Sequence, residues 1–440
     1  IGPIIRINMG VKPWVIIGDP YLAHEILKVN DAVTSGRPYH LYLSKYHTMN
    51  RKGMVYTNAD KQWKRCRAIA QTVLGRKGVA QLSQTMESEA SRVTSLLLEC
   101  GKVVDVSKYM QLYTQNVMLQ ALFGISSTAI DDSLFTSVVE TVDIAIKWSA
   151  PVEGIRSFLP GLAKSLGLYK NTAMSDFIEK KRNPLYRRLI QQSLESDTPC
   201  LVKELYRVKK QNEFDDDDIL VLIVNMVNAG TDTTAMTLSW AMILLCHHKD
   251  VQKRLHGEVD SFIFKHNRLP VYDERENFPF LISVQKECMR FRAPNHFALP
   301  RETTDDLECQ GFFIPKGTVL LSNTYTLNRS PDFYDRPEKF IPERYLDDQR
   351  PLVVSANANL EKRDQYTFGW GRRLCPGAHM VDVELFNFWV RILATTTIEP
   401  PLNENGDPVY PDLNSYRDIG VAIAPLDSRI RFVERHDRLI

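Results

Sequence analysis

One stretch, Phe368-Gly369-Trp370-Gly371-Arg372-Arg373-Leu374-Cys375-Pro376-Gly377, gathers the residue types that a reactive thiolate needs. Its glycines let a backbone fold tightly against something flat. Pro376 stands where a first helical residue belongs, and an apolar helix is predicted from about 377 to 395. Cys375 therefore precedes a helix N-terminus, where the dipole and free N–H groups favour thiolate over thiol. The other cysteines, Cys66, Cys100, Cys200, Cys246, Cys288 and Cys309, lack such surroundings and read as small hydrophobes. A lone cysteine before a helix can also be a structural turn residue.

A second stretch conflicts with its surroundings. The acidic run Asp215 to Asp218, followed by Ile219-Leu220-Val221-Leu222-Ile223-Val224, reads as the solvated start of a long apolar helix. Continued to His247, that helix would be roughly 45 Å long and buried. Inside it lies Ala229-Gly230-Thr231-Asp232-Thr233-Thr234. Gly costs about 1 kcal/mol relative to Ala in a helix interior, and Thr and Asp are poor choices there too. Such conflicts are expected at functional sites. Gly230 would let a flat ligand approach the backbone. A Thr hydroxyl can bond the carbonyl four residues back and loosen the helix. A buried helix with a few satisfied polar groups accounts for the same residues, and taken alone they leave both readings open.

Smaller signals are weak one by one. Glu287 and Arg290 put an acid and a base on one helical face, a common pair. Trp63 and Arg67 fit an exposed amphipathic helix as well as an anion clamp, although Arg suits bidentate carboxylate binding. Arg301 follows Pro300, and Arg344 lies in Phe340-Ile341-Pro342-Glu343-Arg344-Tyr345. His296 reads as cavity lining rather than a metal ligand.

The elements that must position these residues are mostly helical. Residues 3 to 18 read as a hairpin about Gly10, and Asp19-Pro20 starts a helix. From about 60 to 260 long amphipathic stretches dominate. Pro151, Gly154, Pro160 and Gly161 break them and predict a long loop from Ser149 to Gly167. Cys309 to Ile314 and Thr318 to Ser322 read as two strands joined by the turn Pro315-Lys316-Gly317. A Pro-rich loop region follows from Pro331 to Pro351, and the chain ends in short strands and turns. The expected architecture is one domain over residues 1–440, mainly α with small β-sheets.

The chain has 440 residues, 44% hydrophobic and 25% charged, enough for a large core and an enclosed cavity. A net charge of +2 gives no electrostatic case for nucleic acid as partner. Seven scattered cysteines at no metal-finger spacing fit a reducing compartment. No apolar run approaches the roughly 18 residues of a membrane span. The chain opens on a strand at Ile1 without an initiator Met, so its native N-terminus is expected to lie upstream.

The pattern Phe-Gly-x-Gly-x-Arg-x-Cys-x-Gly is the haem-binding loop of the cytochrome P450 family. The chain matches it at every fixed position and resembles the eukaryotic microsomal members, particularly fungal ones. Ala-Gly-x-Asp-Thr-Thr, Glu-x-x-Arg and Trp-x-x-x-Arg also stand in the family's order, across residues 63 to 377. Tyr345 stands where the family usually has Phe. The resemblance implies haem b buried between the long central helix and the cysteine-loop helix, with Cys375 as axial ligand to the iron. A thiolate ligand there favours O–O cleavage. Arg373, Trp63, Arg67 and Arg301 would hold the haem propionates. Phe368 would pack near the sulfur, Gly369 and Gly377 would shape the loop, and Ala229 and Gly230 would line the haem. Asp232 and Thr233 would relay protons as an acid–alcohol pair. Glu287, Arg290 and Arg344 would form a buried structural triad.

The implied reaction inserts one oxygen atom of O2 into a C–H or C=C bond and releases the other as water. No nucleotide-binding fingerprint is present, so NADPH would act indirectly through a reductase, with cytochrome b5 as a further partner. Lys61, Lys64, Arg65 and Arg372 could form the docking face, or be scattered surface charge. The implied address is the cytosolic face of the endoplasmic reticulum membrane, with Phe158 to Leu162 dipping into the bilayer surface. The cavity would be set by His40–Tyr56, Val224–Gly230, Asn295–Leu299 and Asn414–Val421. These look largely apolar and suit a steroid, terpenoid or fatty acyl substrate. Two rival readings are a haem-thiolate isomerase or dehydratase acting on peroxides, and a non-catalytic haem protein. Asp232 and Thr233 speak against the former.

Overall fold

The computed structural model describes residues 2–149, 158–167, 172–420 and 422–439. Strands Ile4–Met9 (β1) and Lys12–Ile17 (β2) pair antiparallel, from Ile4 opposite Ile17 to Met9 opposite Lys12. Gly10 makes the turn at φ 65°. A Cβ there would stand 2.0 Å from the Phe158 carbonyl oxygen, which accepts from the Val11 N–H at 2.9 Å. Asp19 caps the next helix by accepting from the Leu22 N–H, with Pro20 at its first position.

The longer helices are Lys61–Leu74 (α1), Ser83–Cys100 (α2), Val106–Phe123 (α3), Ser133–Ser149 (α4), Asn183–Glu195 (α5), Asp216–His247 (α6), Lys249–His266 (α7), Pro279–Phe291 (α8) and Ala378–Thr395 (α9). The sequence places α6 and α9 within a residue of their ends. A reciprocal cap explains the start of α6: Asp215 accepts from the Asp218 N–H at 2.7 Å, and Asp218 accepts from the Asp215 N–H at 2.9 Å. By length and composition α6 could cross a membrane, but 78% of its apolar window is buried inside the protein. It is the central core helix, packed along α3 and touching α4, α5, α7, α8 and α9.

The remaining strands are Val103–Asp105 (β3), Arg301–Glu302 (β4), Leu307–Cys309 (β5), Phe312–Ile314 (β6), Val319–Ser322 (β7), Thr396–Glu399 (β8), Tyr416–Asp418 (β9), Ile423–Pro425 (β10) and Arg429–Glu434 (β11). One sheet has the order β1-β2-β7-β4, with β2 and β7 parallel. The stretch expected as one strand from Cys309 to Ile314 is in fact split. Gln310 and Gly311, at φ 47° and 80°, turn β5 back onto β6. The turn at Pro315 to Thr318 exists, but it carries the chain into the other sheet. There β7 is buried on both faces, as an interior strand should be. Within the expected loop from Ser149 to Gly167, Pro160–Ser165 forms a short helix. Pro151 and Gly154 lie outside the described residues.

Two cores meet at the cysteine loop. The large helical core reaches it through Phe368 and half-buried Cys375. A second core joins Val15, Ile17 and Leu320 of the sheet to Tyr366 and Trp370. Removing the cap of α6 with Asp215→Ala should cost about 1 kcal/mol. Scanning calorimetry should show a thermal midpoint lowered by roughly 1–2 °C, and an unchanged midpoint would mean that the core alone sets the helix start.

Candidate active site

The cysteine loop is closed by its own backbone. The Cys375 N–H donates to the Phe368 carbonyl at 2.8 Å, and the Arg373 and Leu374 N–H groups donate to Trp370 and Gly371 at 3.1 and 3.0 Å. Gly371 adopts φ 52°, and a Cβ there would stand 2.7 Å from Asp31 Oδ2. That carboxylate anchors the loop, accepting from the Arg372 N–H at 2.8 Å and Nε at 3.0 Å. Protein surrounds Cys375 closely, yet part of its surface stays accessible, as for a side chain on a chamber wall. Burial pushes its thiol up, opposed by the Gly377 N–H, the Arg67 guanidinium and the Ala378 N–H. Burial outweighs the helix-end effect expected from sequence. A metal bound to sulfur reverses that balance, because it deprotonates a thiol outright.

Guanidinium groups converge beside this loop. Arg373 donates to the carbonyls of Ser35 at 2.8 Å, Met54 at 3.3 Å and Thr57 at 2.5 Å, and lies 4.9 Å from the Trp63 ring centre. Arg67 donates to Leu374 O at 2.7 Å and flanks the same ring at 5.5 Å. Arg301, on β4, donates to Leu27 O at 3.0 Å and Trp370 O at 2.6 Å. Arg37, which the sequence reading missed, donates to Val55 O at 2.8 Å and Pro300 O at 2.6 Å. Gly36-Arg37-Pro38 carries no mark of a buried cation, so only the fold reveals it. Among the described residues none of these four has a carboxylate partner. Burial pushes the Arg373 pKa down, and repulsion from Arg37, Arg301 and Arg67 adds to that. Guanidinium does not surrender its proton at physiological pH. What accumulates instead is a demand for anions, which fits the two propionates of a haem. Haem's flat ring would also suit a loop turned tightly at Gly369 and Gly371.

Helix α6 opens on one face at mid-length. Ala229 and Thr233, four apart and so on one side, are exposed within an otherwise buried helix. Thr233 Oγ1 donates to Ala229 O at 2.7 Å, the expected back-bond. Asp232 points elsewhere: its Oδ1 accepts from Gln111 Nε2 on α3 at 3.1 Å, and its buried Oδ2 has no partner. Burial pushes its pKa up to about 7, with Gln111 opposing and Asp143 adding. Acid and alcohol are thus neighbours in sequence without a direct bond. Gly230 has a different reason from the expected one. A Cβ there would meet Met118 Sδ at 2.5 Å, so glycine allows α3 and α6 to approach. Glu384 on α9 was also missed. It is buried, and burial pushes its pKa up to about 8, with the Thr234 hydroxyl opposing. An acid in so apolar a helix was the available signal.

The expected triad residues do meet. Glu287 accepts from Arg290 Nε and Nη2, each at 2.7 Å, from Arg344 Nε at 3.0 Å and from the Ile341 N–H at 2.8 Å. The expected docking face is weaker than its sequence suggests. Arg65 pairs with Glu213 at 2.6 Å and Arg372 with Asp31 at 2.8 Å, while Lys61 and Lys64 stay exposed. Val421 lies outside the described residues.

Glu287→Ala would leave Arg290 buried without its carboxylate, at a cost of about 3–5 kcal/mol. Circular dichroism and soluble yield should show a largely unfolded product, and a stable folded variant would argue against the triad's structural weight. Asp232 keeps its proton up to about pH 7 when folded but loses it near 3.8 in the unfolded chain. Between those values only the native state holds the proton, so the residue's contribution to stability falls as pH rises and levels off above 7. Asp232→Asn, neutral throughout, should therefore gain thermal stability relative to the parent protein between about pH 4 and pH 8. A difference in melting temperature that stays constant with pH would refute this.

The sequence matches the family described as Cytochrome P450 over residues 1–415. Cytochrome P450 monooxygenase 58 of Postia placenta is 24% identical over 99% of this chain and 83% of that protein. Costunolide synthase of Cichorium intybus is 29% identical over 88% of this chain and 78% of that protein. A zebra fish cytochrome P450 solved with progesterone superposes with TM-score 0.82 at 23% identity, covering 99% of this chain and 96% of the other. With its helical fold and cysteine loop, this chain belongs to the cytochrome P450 family of monooxygenases.

Proposed function

We propose that residues 1–440 form a single catalytic domain that binds haem b through Cys375 and oxygenates a small lipophilic substrate, with electrons drawn from NADPH through a partner reductase. The observation that carries this reading is the cluster of Arg37, Arg67, Arg301 and Arg373 beside the cysteine loop, which forms no ion pair among the described residues. Bound haem would supply the activation of O2 that no side chain can perform. The four arginines and Trp63 would hold its propionates, as bidentate donors suit carboxylates. Thr233 presents its hydroxyl on the one open face of α6, where it can pass a proton toward the iron side. Asp232, held by Gln111 and titrating near neutrality, is suited to resupply that proton.

Several observations support the lipophilic substrate. Leu41, Tyr42, Leu43 and Met54 of the expected cavity segments are buried apolar groups. Solved relatives of the same fold carry progesterone and abiraterone. We further infer that the protein works at the endoplasmic reticulum surface, with cytochrome b5 as a second electron donor. Leu159, Leu162 and Leu166 are exposed at 38%, 54% and 62%, beside the hairpin that exposes Val11. Such a patch is suited to enter a lipid surface.

Optical titration of the haem-loaded protein with steroids, terpenoids and fatty acids should give a blue-shifted Soret band with one class. A flat response to all of them would reject the lipophile assignment. Loss of the thiolate-type spectrum in Cys375→Ser is expected, and its retention would overturn the ligand assignment. Thr233→Ala should lower product formed per NADPH consumed by roughly tenfold or more, with haem content unchanged.

A further inference from the structure

A cleft of about 380 Å3 lies against the C-terminal end of α8. It shares neither Ala229, Thr233 nor Cys375 with the site described above. Its walls come from the end of α8 (Phe291 and Arg292), the following segment (His296), and Tyr325, Arg329 and Tyr416. His296, Phe297, Asn414 and Tyr416, of segments expected to line the substrate cavity, face this cleft instead. Along β9, Tyr416 and Asp418 lie on one face of the strand and Arg417 on the other.

Two cations define this cleft. Arg292 donates through Nε to Leu413 O at 3.0 Å, through Nη1 to Phe291 O at 3.0 Å and through Nη2 to Asn414 Oδ1 at 3.0 Å. Arg329 donates to Phe291 O at 2.6 Å and Tyr325 O at 3.3 Å. Both guanidinium groups flank the Phe291 ring, at 4.4 and 5.7 Å from its centre, and Arg329 lies 3.9 Å from that of Tyr325. Among the described residues neither forms an ion pair, and each keeps N–H groups to spare. Burial pushes Arg329 down to about 10, and repulsion from Arg292 adds to that. Asp412 lies near enough for its charge to act on Arg292 and Asp418 on His296, but neither carboxylate forms an ion pair with the two arginines: Asp412 accepts from the Ser415 hydroxyl and the Asn414 N–H, and Asp418 from the Gly420 N–H. His296 stands edge-on to Tyr325 and Tyr416, at 5.1 and 4.9 Å, which lends the cleft flat walls.

We propose that this cleft is a second binding site, distinct from the oxygenation site, for a small aromatic carboxylate. The carboxylate bridges Arg292 and Arg329, and the ring lies among Tyr325, Tyr416 and His296. Fork-shaped donors match a carboxylate, and a volume near 380 Å3 is within the range of small-molecule pockets. Occupancy would bear on both His296–Phe297 and the β9–β10 hairpin. The Ile423 N–H donates to Pro294 O at 2.8 Å, which ties the two together. The ligand would therefore alter substrate affinity without touching the iron side.

The test is equilibrium dialysis of 2-naphthoate against the haem-loaded protein, with and without an azole that ligates the iron. Saturable one-site binding that survives the azole is expected. Arg329→Gln should weaken it roughly tenfold or more, and the neutral 2-naphthalenemethanol should bind worse by a similar factor. Displacement by the azole would assign the naphthoate to the oxygenation site and overturn the proposal. So would equal binding by Arg329→Gln or by the alcohol. If Arg329→Gln does not fold, Tyr416→Ala on the exposed strand serves instead, with weakened binding expected and unchanged binding overturning the proposal. The Soret spectrum in the same samples reports the haem site independently, so failure here is distinguishable from failure of the oxygenase reading.

Discussion

Four arginines lie side by side around the cysteine loop, and among the described residues none of them forms an ion pair; Asp31 and Asp60 act on Arg301 and Arg373 only at a distance. Holding unpaired cations in a protein interior costs several kcal/mol each. Much of the architecture is arranged to tolerate that cost until anions arrive. Backbone carbonyls from remote segments accept the guanidinium protons: Leu27, Ser35, Thr57, Pro300, Trp370 and Leu374. Those bonds tie together the first turns after the hairpin, the segment before α1, strand β4 and the loop that carries Cys375. The cations thus act as the knot between the sheet and the helices, as well as the seat for an anionic ligand.

The long helix α6 answers a different constraint. It must fill the middle of the core and still open at one point. Its largely apolar first half, behind an acidic start, and its buried second half pack on α3 and α8, and only Ala229 and Thr233 stand open between them. The polar groups nearby are divided by the helical rotation. Thr233 faces the open side, Asp232 turns toward Gln111 on α3, and Thr234 turns toward Glu384 on α9. Each buried acid is raised toward neutrality by desolvation. Two proton-holding groups therefore sit behind the open face, and neither is exposed to it directly.

The small sheet is less peripheral than its size suggests. Through Val15, Ile17 and Leu320 it packs into the same cluster as Trp370, so it braces the cysteine loop from below. The triad at Glu287 fastens α8 to the Pro-rich segment through Ile341 and Arg344.

Local features were legible in the sequence because they depend on neighbours a few residues apart. The cysteine loop, the acidic start and extent of α6, the hairpin at Gly10 and the back-bond of Thr233 follow from spacing, glycine placement and helical periodicity. So do the pairing of Glu287 with Arg290 and the overall helical class. The family pattern added Arg344, Arg301 and Trp63, which lie far apart in the chain. Other features depend on which distant segments meet, and a single sequence does not contain that. Arg37 looks like any loop arginine until the fold sets Arg301 and Arg373 beside it. Gly230 looked like room for a ligand until Met118 filled the space. Gln111, the neutralised Arg65 and Arg372, and the split of β5 from β6 were decided the same way. Hydrogen bonds and charges act over a few ångströms of space, and only the tertiary structure determines which residues fall within that range.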